Sequence, residues 1–206
     1  MRDPCCESTI DTSGLEVRQR RVLAIVFAIN TVTFLLVTAS AFLSGSSSLL
    51  SGALDNLGDA LTYALSFAVV GGSAGAKARV ALVKGLLILL ATIAVAGQIA
   101  WRLQNPAVPI IETMGLAALL NLAANAACLG LLHPYRDADI NMASVWECSR
   151  NDVFEGVAVI AATLAVWIFE SGWPDLLIAS TLLWLFLRST IRVLGSAIRQ
   201  IREGTA

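Results

Sequence analysis

Charge is what this chain has least of. Only 14% of its 206 residues are Asp, Glu, Lys or Arg, while 57% are apolar. An ordinary soluble domain is about a quarter charged, so that class is excluded and a membrane protein is expected. Cysteine is scarce too: Cys5 and Cys6 are neighbours, and Cys128 and Cys148 lie in apolar segments, which excludes a disulfide framework. The one histidine, His133, stands beside Pro134 as a surface residue at a helix end, and no nucleophile–His arrangement or catalytic zinc motif is present. The 14 basic residues form no stripe with interleaved aromatics, so nucleic acid is not an expected partner. The opening "MRDPCCESTIDTSGLEVRQRR" has no apolar core behind its first charges, so it is expected to be a polar tail, not a cleavable signal peptide.

What the chain does have is long apolar segments. A bilayer core of about 30 Å needs roughly 20 apolar residues per helix. Six segments qualify, at about 21–43, 49–71, 79–103, 109–132, 141–169 and 174–196. The breakers "SGSSS", "GGSAGAK", "NPAVP", "HPYRDAD" and "SGWP" separate them. The expected fold is all-α, a polytopic membrane protein with six transmembrane helices.

Arg2, Arg18, Arg20, Arg21, Lys77, Arg79, Lys84, Arg136, Arg192, Arg199 and Arg202 fall at one side of these spans, and only Arg102 lies at the other. The positive-inside rule then puts both termini in the cytoplasm. The expected divisions are a tail over 1–20 with the Cys pair, a transporter domain over 21–198 and a short tail over 199–206.

Polar side chains interrupt two segments at helical spacing. In the second, Asp55, Asp59, Thr62 and Ser66 share one face. In the fifth, Asn141, Ser144 or Val145, Cys148, Asp152 and Glu155 do the same. An ionisable group inside a membrane costs several kcal/mol and faces a partner or a water-filled cavity. Two pairs at i and i+4, Asp55/Asp59 and Cys148/Asp152, have the count and chemistry of a tetrahedral metal site. The plainer alternative is protonated or hydrogen-bonded helix glue.

At 1.5 Å per residue, Asp59 lies about 15 Å down from one side and Asp152 about 16 Å up from the other, so they meet near the midplane. Asp55 and Cys148 fall about a turn to either side. Asn121 and Asn125 are candidates either to line the cavity or to bond between helices. Glu155 extends the ion path or serves structure. Asp175, after "GWP", reads as a helix N-cap or first-turn acid.

Along "SGSSSLLSGALDNLGDALTYALSF", "NMASVWECSRNDVFEGVAVIAA" and "GWPDLLIASTLL" the chain resembles the cation diffusion facilitator family of divalent-metal/proton antiporters. The resemblance implies metal ligands at Asp55, Asp59, Cys148 and Asp152. It implies divalent metal ions and protons as partners, a homodimer, and a multi-pass place in a bacterial inner membrane. The commonest zinc members carry His and Asp in both pairs, where this chain has Asp, Asp, Cys and Asp. The loop "HPYRDAD" is short where many members have a His-rich one, and the chain is expected to be a short member without their C-terminal cytoplasmic domain.

The expected activity is export of a divalent metal in exchange for protons, with no prosthetic group. Thiolate with carboxylate favours Zn²⁺ or Cd²⁺ over Mg²⁺ and Ca²⁺. Adjacent Cys5 and Cys6 could collect a soft ion near the entrance, or the tail is inert. The rival readings are a membrane-embedded enzyme using the paired Asp groups and a non-transporting membrane partner protein.

Overall fold

The computed structural model describes residues 17–68, 74–136 and 140–203. They form six α-helices and no strand: α1 (Val17–Ser44), α2 (Ser47–Ala68), α3 (Ala74–Gln104), α4 (Ile111–Leu132), α5 (Ile140–Phe169) and α6 (Trp173–Glu203), with a 3₁₀ turn at His133–Tyr135. Five helices are long and apolar enough to cross a membrane, and α2 is not among them. Three of the five reach well beyond the apolar limits read from the sequence: α1 starts at Val17, α3 at Ala74, and α6 runs to Glu203. A helix ladder continues through polar residues as readily as through apolar ones, so the expected tail boundaries at 20 and 199 fall inside helices.

The exception explains the architecture. The helix α2 packs against each of the other five, which form an arc around it in the order α3, α6, α5, α4, α1. Between Ser47 and Ala64 no α2 residue is exposed. The outer helices instead expose large apolar side chains, among them Leu35, Leu36, Leu90, Leu120, Trp167 and Trp184. A soluble protein would not tolerate so broad an apolar surface; a bilayer demands it. The helix that falls short of a membrane span is therefore the one the others enclose.

The start of α1 at Val17 and the end of α6 at Glu203 fall at one end of the bundle, and the α1–α2 turn lies at the other. That turn is tighter than the breaker "SGSSS" suggests, because Ser47 and Ser48 already belong to α2. Gly45 takes φ +71, the left-handed region that ends helices, and a Cβ there would run into the Arg102 guanidinium, which donates to the Gly45 carbonyl. Asp175, in the first turn of α6, does not cap its own helix. Its carboxylate accepts from the backbone N–H groups of Ser47 (2.7 Å) and Ser48 (3.0 Å) and from the hydroxyls of Ser46 (2.7 Å) and Ser48 (2.6 Å). An acid at the N-terminus of α2 satisfies its orphan donors and complements its dipole, and here it comes from another helix.

Two apolar clusters fill the interior. One, toward Gly45, holds Val37, Leu49, Leu54, Met114, Val159 and Phe186. The other, toward the termini, holds Leu23, Val26, Tyr63, Cys128, Met142 and Val145. On α1, α2, α4 and α5 the stretch between the two clusters carries polar residues: Asn30 and Thr33 on α1, Asp55, Asn56 and Asp59 on α2, Asn121 and Asn125 on α4, Ser149, Asp152 and Glu155 on α5. A polar layer crosses the middle of an apolar bundle.

Asp175→Ala would leave four donors at the head of α2 without their acceptor. We expect a loss of about 2–3 kcal/mol, read from denaturant unfolding of the purified protein in detergent.

Candidate cation site

The polar layer is built on antiparallel helices. A step from Asp59 to Asp55 on α2 climbs one turn toward the Gly45 end; on α5 the same climb runs from Asp152 to Glu155. Two carboxyl pairs result. The Asp59 carboxyl lies within hydrogen-bonding reach of that of Asp152, and Glu155 within reach of Asp55. All four residues are half-buried although α2 is enclosed.

One turn toward the termini, Tyr63 is buried within electrostatic range of Cys128 and Cys148 as well as of Asp59 and Asp152. Cys148 is 7% exposed and Cys128 is 1% exposed, both as thiols. The four residues picked out by spacing therefore do not close into one cage. The structure brings Asp59 and Asp152 together, gives Asp55 the partner Glu155, and sets Cys148 a turn lower beside Tyr63. Among the described residues no three His, Cys, Asp or Glu side chains converge as metal ligands would.

The asparagines brace the layer. Asn56 donates to Asn121 at 2.9 Å across α2 and α4, and Asn125 donates to the Asp152 carbonyl at 3.4 Å. Three oxygens in the same layer are buried without a hydrogen-bond partner: Asn30 Oδ1, Asp59 Oδ2 and Ser149 Oγ. Buried polar atoms are normally satisfied, and a cluster of exceptions calls for a ligand, ion or water. All three accept hydrogen bonds, which suits cations and water. Cys5 and Cys6 lie outside the described residues.

A cavity of about 150 Å³ at the Gly45 end, lined by Arg102, Glu170 and Asp175, lies apart from the carboxyl pairs. The chemistry sits in the polar layer, where the ionisable groups meet.

Sequence reasoning missed Asn56, Asn30 and Ser149. Asn30 and Asn56 carried a signal: each is a lone amide at a depth matching the flagged acids. Lys84 was counted among the bases marking one side of the membrane, but it is only 3% exposed and donates to Thr62 Oγ1 at 2.5 Å inside the bundle. Its burial could not be read from hydropathy, which treats a lysine near a span end as a surface anchor.

No protein-family model and no curated protein matches this chain.

Asn56→Ala and Asn121→Ala should each destabilise the protein. In a double-mutant cycle their effects should be non-additive by about 1 kcal/mol, as expected for an interhelical amide pair in a membrane bundle.

Proposed function

We propose that this protein is a membrane transporter that exchanges a divalent metal ion, Zn²⁺ or Cd²⁺, for protons, and that it is not an enzyme. The observation that carries the reading is the pair of carboxyl bridges between α2 and α5. An ionised carboxylate has no hydrogen to give. Two carboxyls within hydrogen-bonding reach must therefore share a proton or hold a cation between them, because like charges that close cannot both stand alone in an apolar interior. Each bridge is thus a site that must be filled by one or the other. Metal arriving releases protons, and protons arriving release metal.

The ligand assignment keeps Asp55, Asp59, Cys148 and Asp152, with Glu155 as the group facing Asp55. Small rotations of α2 against α5 would bring Asp59 toward Cys148, which lies one turn from Asp152 on the same face of α5. The positive-inside rule puts the termini end in the cytoplasm, and the resemblance to cation diffusion facilitators supports a homodimer in a bacterial inner membrane.

The test uses purified protein in liposomes holding a metal-sensitive dye. Zn²⁺ or Cd²⁺ entry should be matched by proton exit, so a lumenal pH dye should report alkalinisation. Asp59→Asn and Asp152→Asn should each abolish both signals while inserting normally. Absence of metal flux through the wild-type protein across a panel of divalent ions would refute the reading.

Cys148→Ser removes the one soft donor of the set. The ratio of Cd²⁺ to Zn²⁺ flux should fall severalfold, and an unchanged ratio would leave Cys148 with a packing role only.

A further inference from the structure

Among the described residues Lys84 is the one buried cation. It stands on α3, whose stretch Leu82–Gln104 is long and apolar enough to cross a membrane. Its side chain does not snorkel to an end of the bundle, which is the usual escape for a lysine near a helix terminus. It points inward to α2, where Thr62 Oγ1 accepts from its Nζ at 2.5 Å. Thr62 gives its own proton to the Gly58 carbonyl at 2.6 Å, so it meets the ammonium with lone pairs alone. Thr62 stands one turn from Asp59 on the same face, and the Lys84 charge acts on the Asp59 carboxyl. A lone buried ammonium is costly, and it is kept only where an anion compensates it.

We propose that Lys84 is a tethered counter-cation for the Asp59–Asp152 pair, and that a divalent ion can occupy the pair only by displacing it. This rests on the transport reading for its consequence and on the packing of α3 against α2 for its geometry. With the ammonium close by, one carboxylate is already compensated and a shared proton completes the balance. A divalent ion needs both carboxylates ionised and repels the ammonium at short range. Lys84 therefore sets how tightly the pair holds a divalent ion, and it passes occupancy of the site to α3. Because α3 also packs against α6, the displacement reaches the helix pair on the far side of α2. Lys84 is a positioning residue here, acting through Asp59 and not as a ligand.

The experiment has two arms on detergent-purified protein. In the first, Cd²⁺ binding is measured by calorimetry for wild type, Lys84→Met and Lys84→Arg. The Met variant should bind about tenfold more tightly, a change of about 1.4 kcal/mol, while the Arg variant stays near wild type. In the second, thermal unfolding without metal compares Lys84→Met, the paired change Asp59→Asn with Asp152→Asn, and the triple variant. Lys84→Met leaves the pair's negative charge uncompensated and the paired change leaves the ammonium uncompensated, so each should lower the Tm; the triple variant should recover much of the loss. Unchanged Cd²⁺ affinity in Lys84→Met, or strictly additive Tm losses, would overturn the proposal. If wild type binds no Cd²⁺, the transport reading fails by itself, and the unfolding arm still decides whether Lys84 and the Asp59–Asp152 pair compensate each other.

Discussion

Carboxyl groups in an apolar bundle must be compensated, and most of this structure follows from that requirement. Asp55 and Asp59 make α2 too polar to face lipid, so the remaining helices enclose it. Enclosure alone would make matters worse by removing water. The layer therefore supplies partners at the same depth: Asp152 and Glu155 from α5 and the amides of Asn121 and Asn125 from α4. Four helices, α1, α2, α4 and α5, contribute polar residues between two apolar stretches. The bundle thus keeps apolar packing above and below a polar centre.

The two ends of the layer are held by different forces. Toward Gly45, α2 is fastened by charge: one Asp175 carboxylate gathers four donors, and Arg102 reaches the Gly45 carbonyl. Toward the termini the contacts around Tyr63 are apolar, with Leu23, Val26, Leu132 and Met142. Charge-assisted hydrogen bonds are directional and are lost steeply with displacement. Apolar contacts are non-directional and can be re-formed in a shifted packing. The end held by Asp175 is the one where motion of α6 against α2 meets a discrete barrier.

How much of this the sequence discloses depends on whether a feature is local. The helices and the shared faces of Asp55/Asp59 and Cys148/Asp152 come from periodicity along one segment, and the matching depth of Asp59 and Asp152 comes from counting residues. The pairing of Asp55 with Glu155 needs the mutual register of two antiparallel helices, which a single-helix pattern does not contain. Asp175 is similar: its first-turn position is legible, but the helix it caps is a neighbour 128 residues away in the chain. The burial of Lys84 is a tertiary fact throughout. Hydropathy reads it as an end marker because nothing nearby on α3 announces the Thr62 that receives it.

That register has a chemical consequence. Because α2 and α5 run in opposite directions, the hard and soft donors separate along the axis instead of mixing at one point. Oxygen donors occupy the level of Asp55 and Glu155 and the level of Asp59 and Asp152. The thiols of Cys128 and Cys148 and the phenol of Tyr63 lie below them, toward the termini. Under the transport reading, an ion entering from the termini end meets soft, neutral donors before any carboxylate. It sheds water against groups that bind it weakly and only then displaces protons from groups that bind it strongly. A site that held all four donors in one rigid cage would gain affinity and lose this gradient, and a transporter that binds too tightly cannot release. Two pairs and a thiol step suit passage better than storage.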